Sequence, residues 1–282
     1  MQKLAIYQSL WAMERRHPDH AERSVEESFD LIAEAGFDGV CLDLGADEIA
    51  DFADCKPLLE STDLACMVNA FPCKIGDMQP LLGMARDFEA RLVNVIGGVM
   101  PVTVAGAIPV IYRWMEEAEK CGLPLLFETH RDGMLNDLYY TLQVIDSVPE
   151  MRLCADLSHF VVDREFRAPL PAVDRGYITR ILERSDCFQG RVANREQVQI
   201  QIEFPQHAQW VEVFKGWWKE GMRMWRTRNA DDATLIFLCE LGPPPYAMTD
   251  ANQLELSDRW LEGLTIKTWV ERIWAELERE QA

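Results

Sequence analysis

The sequence predicts a single (β/α)8 TIM barrel, an α/β fold in which eight parallel strands close into a cylinder surrounded by helices. Three observations favour this class. Eight short apolar runs are separated by helical stretches, no linker rich in Gly, Ser or Pro divides the chain, and 282 residues suit one barrel. We therefore expect residues 1–282 to form one domain ending in a C-terminal helix. The runner-up, an open doubly wound sheet, normally carries a Gly-rich first turn, and none follows the first strand.

The predicted strands are apolar at consecutive rather than alternate positions, which is typical of parallel strands buried on both faces. An uncharged stretch between Arg91 and Arg113 has the length of a membrane helix, but Gly97, Pro101 and Pro109 divide it into a strand, a turn and the start of a helix. We therefore expect no membrane span. The eight strands are predicted, in chain order, at Lys3–Gln8, Gly39–Leu44, Ala65–Ala70, Leu92–Ile96, Leu123–Glu128, Leu153–Asp156, Cys187–Arg191 and Thr234–Glu240.

The stretches between the strands are amphipathic and of helical length. The clearest helix is Ser24–Ala35, where Ser24 and Glu27 form a capping box and Gly36 ends the helix. Comparable helices are predicted at Met78–Glu89, Val104–Lys120, Leu135–Ser147, Val173–Glu183, Val211–Arg223 and Leu264–Glu280. A tryptophan stripe near helical spacing indicates packing or the surface of a homo-oligomer more than a ligand cage. Its members are Trp210, Trp217, Trp218 and Trp225.

Composition excludes several functional classes. The formal net charge of −19 argues against a nucleic-acid partner, because affinity for phosphates comes mainly from Lys and Arg. The eight cysteines are scattered, with no CxxC pair and no Cys/His cluster, which indicates reduced thiols rather than a thiolate metal site. The N-terminal segment lacks the pattern of a signal peptide. These features predict a cytoplasmic protein that acts on a small molecule.

The strand ends carry the candidate chemistry, because catalytic groups of a (β/α)8 barrel gather there. Predicted strands five, six and eight end on Glu128, Asp156 and Glu240. Burying these carboxylates as free ions is costly, whereas a bound cation compensates their charge. A single acid in such a place often caps the next helix, but three at three strand ends indicate a divalent metal site. Oxygen ligands suit Mn²⁺, Mg²⁺ or Co²⁺, with Zn²⁺ as a further option.

Short motifs at four consecutive strand ends carry a family resemblance. The chain reads Phe-Glu-Thr-His at 127–130, Ala-Asp-Leu-Ser-His at 155–159, Gln-Gly-Arg-Val at 189–192 and Glu-Leu-Gly-Pro-Pro-Pro-Tyr at 240–246. In order and position these motifs resemble the sugar isomerase/epimerase branch of the xylose-isomerase-like TIM barrel superfamily. The resemblance covers most of the second half of the chain, whereas the first half shares only the alternation of strands and helices and the segment Gly-Phe-Asp-Gly-Val at 36–40.

The resemblance implies one metal ion held by one side chain from each of strands five to eight. By position these ligands are Glu128, Asp156, Gln189 and Glu240. The family usually has His where this chain has Gln189. A Gln carbonyl oxygen ligates a hard cation but binds zinc less well than imidazole does, so the departure shifts the expected cofactor toward Mn²⁺ or Mg²⁺. It also leaves open that a water takes the place of Gln189.

Three further side chains are candidate substrate contacts. His159 follows strand six, where the family places a His that touches a hydroxyl or carbonyl group of the substrate. His130 is expected either to orient Glu128 or to contact the substrate. Arg191 is expected to pair either with an anionic group of the substrate or with Glu240.

Through the resemblance, the leading hypothesis is a metal-dependent isomerase or epimerase of a sugar or a related polyhydroxy carbonyl compound. Glu128 and Glu240 would serve as base and acid in proton transfer next to a carbonyl, through an enediolate. The same groups would serve a metal-dependent lyase or dehydratase acting on a keto-sugar or keto-glycoside, which stays an open alternative.

Two other classes are weaker hypotheses. A repair endonuclease of the same fold uses a His-rich three-zinc cluster, and this chain has five histidines and an acidic balance. A non-catalytic sugar-binding protein is supported only by Gln189. In every case we expect the loops after strands one to four, near Gln8, Trp11, Asn69 and Gly97, to determine which substrate is bound.

Overall fold

The computed structural model describes residues 1–19 and 21–281, so that His20 and Ala282 lie outside the described chain. Its strands are β1 Lys3–Ser9, β2 Gly39–Leu44, β3 Ala65–Ala70, β4 Val93–Val95, β5 Leu125–Glu128, β6 Leu153–Ala155, β7 Ser185–Gln189 and β8 Thr234–Cys239. Each strand pairs in parallel with the next, and β8 pairs with β1 to close a barrel. The predicted (β/α)8 barrel is confirmed, and the open doubly wound sheet is excluded.

Several strands are shorter than the sequence predicts, and the difference falls on the candidate site. β6 ends at Ala155, β7 ends at Gln189 and β8 ends at Cys239. Asp156, Arg191 and Glu240 therefore lie just beyond the ladder of backbone hydrogen bonds rather than inside it. Side chains at such positions project above the end of the barrel, where the loops form the site of this fold.

Helices fill the connections between the strands. They are α1 Val25–Glu34, α2 Cys55–Thr62, α3 Met78–Asp87, α4 Val104–Cys121, α5 Leu138–Ser147, α6 Leu157–Asp163, α7 Ala172–Arg184, α8 Ala208–Arg228 and α9 Arg259–Gln281. The sequence analysis did not predict α2 and α6. Both are two turns long, which is too short for an apolar stripe to repeat clearly.

Local capping groups set the helix ends. Ser24 Oγ accepts the Glu27 amide at 3.1 Å and Glu27 Oε2 accepts the Ser24 amide at 2.9 Å, which is the predicted capping box. Gly122 ends α4 in the left-handed region, with φ of 70°. The uncharged stretch before Arg113 divides into β4, a loop and α4. Over residues 1–19 and 21–281, no helix has both the length and the apolarity of a membrane span.

The apolar residues form two cores. The larger core lies between the barrel and its helices, and it includes Trp217, Trp218 and Trp225, with Trp210 packed against it. Packing therefore accounts for the tryptophan stripe. The smaller core fills the inside of the barrel with one or two side chains from each strand, namely Tyr7, Cys41, Met67, Leu92, Leu126, Cys154, Cys187, Ile236 and Leu238.

Candidate active site

A ring of polar side chains lies above the inner core, and every strand supplies one member. Because side chains alternate between the two faces of a strand, the residue two positions after an inward apolar residue also faces inward. Cys41 is followed in this way by Asp43, and Leu126 by Glu128. We call the whole set the polar ring; its members are Ser9, Asp43, Asn69, Asn94, Glu128, Asp156, Gln189 and Glu240, and the structure buries nearly all of them.

Side-chain hydrogen bonds connect the first five members of the polar ring. Ser9 Oγ and Asn69 Nδ2 donate to the two oxygens of Asp43, at 2.9 Å and 2.7 Å. Asn94 Nδ2 donates both to Asn69 Oδ1 at 2.9 Å and to Glu128 Oε2 at 2.5 Å. The amides thus supply donors to carboxylates that are shielded from water, which offsets part of the cost of burying them.

Gln189 joins the ring from the other side. Its Nε2 donates to Glu128 Oε2 at 2.7 Å, so the amide oxygen faces away from Glu128. That oxygen, Gln189 Oε1, is buried and has no hydrogen-bond partner among the described residues, and the same holds for Glu240 Oε2. Buried oxygens of this kind usually have a partner, so the two atoms leave room for a cation or a substrate hydroxyl.

Arg191 bridges the remaining two members of the ring. It lies two residues after Gln189 and is 1% exposed. Its Nη1 is 3.0 Å from Asp156 Oδ2, its Nη2 is 3.4 Å from Glu240 Oε1, and its Nε donates to the main-chain oxygen of Glu240 at 3.0 Å. Of the two partners that the sequence allowed for Arg191, a substrate anion or Glu240, the structure therefore has Glu240, with Asp156 in addition.

Asp156 combines two roles that the sequence analysis treated as alternatives. Its Oδ1 accepts the amide of Ser158 at 2.9 Å and caps α6, as an ordinary helix-capping acid does. Its Oδ2 faces the site, 3.3 Å from His159 Nε2 as well as 3.0 Å from Arg191. The helix cap thus fixes the carboxylate in one orientation and leaves the second oxygen for the site.

The two candidate histidines lie together. The ring centroids of His130 and His159 are 4.1 Å apart, and the nearest ligand atoms of Glu128, His130 and His159 lie within 4.8 Å of one another. His130 Nε2 is 3.4 Å from the hydroxyl of Tyr246. Burial lowers the pKa of both histidines, which favours the neutral ring, whose free nitrogen can accept a hydrogen bond or bind a metal ion.

Two aromatic rings cover the bridging arginine. Trp11, just after β1, meets Tyr246, in the loop after β8, edge to face with ring centroids 5.3 Å apart. The Arg191 guanidinium lies 4.8 Å from the Tyr246 ring and 5.9 Å from the Trp11 ring, within reach of a cation–π interaction. A Cβ on Gly242 would lie 2.3 Å from Trp11 Cη2, so this cover requires glycine at position 242.

The loops after β7 and β8 are joined by one side chain. The Gln199 amide donates through Nε2 to the main-chain oxygen of Gly242 at 2.9 Å, and its Oε1 accepts the Gly242 amide at 2.7 Å. Gln199 is itself buried. A separate cavity of about 430 Å³ lies beside Trp11 and Asp43, and the rest of its wall comes from the segments after β1 and β2 and from α1 and α2.

Burial and mutual repulsion set the protonation of the acids. Burial, together with the nearby Asp156, raises the pKa of Glu128 to about 8, and burial raises the pKa of Glu240 well above its usual range. Burial also raises the pKa of Asp43 to about 6. Burial acts on Asp156 in the same direction, but Arg191 and His159 outweigh it and hold the pKa of Asp156 below its usual range.

The structure thus brings all seven candidate site residues together at one end of the barrel. Three polar residues on the first half of the ring, Ser9, Asp43 and Asn94, were not among the predicted site residues. Their signal is the two-residue step from an inward apolar residue to a polar one, repeated in every strand. It is visible in the sequence once the inward face of each strand is known.

Comparison with known proteins gives structural matches. No protein-family model matches the sequence, and no curated protein matches it. D-allulose 3-epimerase from Methylomonas sp. superposes with a TM-score of 0.63 at 13% identity, covering 97% of this chain and 99% of that one. An L-ribulose 3-epimerase gives 0.60 at 13% identity, covering 98% of each chain. The chain therefore shares the closed (β/α)8 barrel fold of these two enzymes.

A third match extends this conclusion beyond the epimerases. A xylose isomerase domain protein from Planctomyces limnophilus superposes with a TM-score of 0.54 at 8% identity, over 99% of this chain and 97% of that one. The resemblance inferred from the strand-end motifs is therefore confirmed at the level of the fold. At these identities the matches bear on architecture alone, and the chemistry depends on the residues of the polar ring.

Proposed function

We propose that this protein is a divalent-metal-dependent isomerase or epimerase that acts on a sugar or a related polyhydroxy carbonyl compound. The observation that carries the proposal is the pair Glu128 and Glu240, two buried carboxyls of raised pKa in one ring. A carboxyl with a pKa near neutrality can take a proton from carbon and return it, as a general acid and base must. The D-allulose and L-ribulose 3-epimerases of the same fold support the substrate class.

The donor set of the ring fits a divalent cation. Three carboxylates and one amide oxygen come from β5 to β8, and Gln189 Oε1 and Glu240 Oε2 lack hydrogen-bond partners in the described part of the chain. Glu128, Asp156, Gln189 and Glu240 would hold the ion, with Mn²⁺ or Mg²⁺ preferred over Co²⁺ and Zn²⁺ because the set is all oxygen. The ion would supply charge that stabilises an enediolate.

The residues around the ring would orient the substrate. Neutral His159 and His130 would donate or accept hydrogen bonds to its hydroxyl and carbonyl oxygens, and Arg191 would contact its polar end under the aromatic cover. Glu128 would remove the proton from carbon next to the carbonyl, and Glu240 would deliver a proton to the opposite face.

Proton exchange in deuterated solvent tests this proposal directly. The protein is incubated with Mn²⁺ or Mg²⁺ and a panel of ketoses, inososes and keto-glycosides in D₂O, and the substrates are followed by NMR. We expect deuterium at the carbon next to the carbonyl, together with an epimer or isomer. Loss of a substituent instead would identify the lyase or dehydratase, and binding of a sugar without exchange would identify a non-catalytic protein.

A further inference from the structure

Arg191 lies where a cation would neutralise the ring. Asp43, Glu128, Asp156 and Glu240 bring four carboxyls into the polar ring, and the Arg191 guanidinium contacts the last two of them, at 3.0 Å and 3.4 Å. Carboxylates that ligate a divalent ion place their oxygens about 2.0–2.6 Å from it. Because Asp156 Oδ1 caps α6, a metal ion bound to Asp156 would need Oδ2, which is the atom that Arg191 contacts. The guanidinium and a metal ion therefore compete for the negative charge of the same carboxylates.

The surroundings of Arg191 hold it in this position. Its Nε donates to the main-chain oxygen of Glu240, Tyr246 and Trp11 cover it, and it is 1% exposed. Gly190 just before it packs so tightly that a Cβ there would lie 2.8 Å from the Phe237 ring. The guanidinium is thus held by a main-chain oxygen and two aromatic rings, and the backbone before it is fixed by packing.

We propose that Arg191 is a built-in counter-ion that competes with a divalent metal ion for Asp156 and Glu240, and so weakens metal binding to the ring. The inference rests on the metal site of the proposed function. It explains why Gln189 is sufficient as the fourth member: its amide nitrogen holds Glu128 at 2.7 Å while the arginine, and not a metal ion, holds the other two carboxylates. Metal binding then requires the guanidinium to leave the carboxylates.

Mn²⁺ binding to the purified protein tests the competition without any substrate. Binding is measured by calorimetry and by the electron paramagnetic resonance signal of free Mn²⁺, for the wild type and for Arg191→Met. We expect the methionine variant to bind Mn²⁺ tighter by about 10- to 100-fold, the range over which neighbouring groups tune metal affinity. Arg152→Met is the matched control, because Arg152 pairs with Asp186 at the opposite end of β7, at 2.6 Å. Its affinity for Mn²⁺ should equal that of the wild type.

A second variant keeps the test independent of the stability of Arg191→Met. Arg191→Ala leaves a hole of the shape of the lost group, and free guanidinium, well below denaturing concentrations, should fill it. We expect guanidinium to weaken Mn²⁺ binding by Arg191→Ala back toward the wild-type value. Urea has the same planar shape without the charge and should leave that affinity unchanged.

The outcomes separate this inference from the proposed function. Equal, tight Mn²⁺ binding by the wild type and Arg191→Met would overturn the competition and leave the metal site standing. Absence of Mn²⁺ binding in the wild type and in both Arg191 variants would overturn the competition and the metal site together. If urea weakened Mn²⁺ binding by Arg191→Ala as much as guanidinium does, that result would also contradict a charge-based competition.

Discussion

At the scale of single residues, the carboxylates of the ring differ in what surrounds them. Glu128 accepts two amide donors, Asp156 is held by a helix cap and an arginine, and Glu240 keeps one oxygen without a partner in the described chain. Glu240 is therefore the ring carboxyl whose protonation is least committed to a neighbour. This makes it the best position at which to separate proton transfer from the binding of metal and substrate.

We predict that Glu240→Gln loses carbon–proton exchange by at least about a hundredfold, the lower range for a positioned acid or base. An amide oxygen can still ligate a cation or accept a hydrogen bond, but the amide cannot transfer a proton, so metal and substrate binding should remain detectable. Exchange is measured by NMR in D₂O. Glu262→Gln is the control, because Glu262 is an equally buried glutamate in α9 whose pKa burial raises to about 7. Exchange at the parent rate in Glu240→Gln would exclude this residue as acid or base.

The sequence was sufficient to find the carboxylates but not their partners. An acid that ends an apolar run is visible in the sequence, so Glu128, Asp156 and Glu240 were predicted. The partner of Arg191 was not resolved, because residue 191 lies beyond the end of β7 and its direction depends on how the loop continues. Asp43 and Asn94 contact side chains of the neighbouring strands, and such contacts depend on the register between strands.

At the scale of elements, the cover over the ring comes from two loops that are far apart in the sequence. Trp11 follows β1 and Tyr246 follows β8, and the two strands are neighbours only because the barrel closes. Their edge-to-face contact depends on Gly242, which approaches the Trp11 ring and the Tyr246 Cβ without a side chain of its own. A methyl group added at position 242 would therefore collide with both residues of the cover.

We predict that Gly242→Ala separates Trp11 from Tyr246, because the added Cβ would lie 2.3 Å from Trp11 Cη2 and 2.8 Å from Tyr246 Cβ. Overpacking of this kind costs about 1–3 kcal/mol of stability. The tryptophan fluorescence should shift toward that of a more solvent-exposed ring, and thermal unfolding should begin at a lower temperature. Gly216→Ala is the matched control: it lies inside α8 with open space around its Cβ, so alanine should stabilise the protein. A Gly242→Ala protein with unchanged fluorescence would contradict this account of the cover.

At the scale of elements, the sequence predicted the type of a helix or strand correctly where the element is long. Each of the eight strands and the seven longest helices has the predicted type, because apolar runs and helical stripes repeat enough to identify them. The helices α2 and α6 were not predicted. Asp156, which was predicted to end a strand, is the N-cap residue of α6. The backbone of a strand–helix boundary depends on one capping contact, which composition does not reveal.

At the scale of the whole molecule, the fold buries several carboxyl groups that lie far apart in the sequence. Burial raises the pKa of Glu128 to about 8, of Glu262 to about 7 and of Asp43 to about 6, and it raises the pKa of Glu240 in the same direction. At a pH between the ordinary and the raised pKa values, these carboxyls are therefore protonated in the folded protein and ionised in the unfolded chain. By linkage, folding is favoured at the pH where these groups are protonated.

We predict that the metal-free protein becomes less stable as the pH rises from about 5 to about 8, the range over which these raised carboxyls ionise. Glu128 contributes its full share below its ordinary pKa of 4.5, and that share is lost as the pH passes through about 8. The melting temperature is measured across this range in the presence of a chelator. Glu128→Gln, which has no proton to lose, should show a shallower decline. A wild-type melting temperature that rises over the same range would show that these groups are not protonated in the folded state.

The fold class was predictable because it depends on alternation over the whole chain, and the polar ring was predictable only in part. The alternation is set by eight runs of apolar residues, so an error at one boundary leaves it unchanged. The ring depends on which residue of each strand points inward, and a shift of one residue reverses that direction. The strand-end motifs gave the correct direction for β5 to β8, where the resemblance was specific.

The double hydrogen bond between Gln199 and Gly242 has a consequence for motion. A side-chain amide that pairs with both the backbone N–H and the backbone C=O of one residue imitates the pairing of neighbouring strands, so the segments after β7 and β8 are expected to move together. A ligand that pushes Tyr246 outward must carry Gln199 with it. The Trp11 segment is tied to the same loop, because Arg259 Nη1 donates to the main-chain oxygen just after Trp11 at 2.6 Å and to one in the loop after β8 at 2.9 Å. Hydrogen bonds thus connect the loops after β1, β7 and β8 above the polar ring. The amide hydrogen of Gly242 should therefore exchange with solvent only when its hydrogen bond to Gln199 opens.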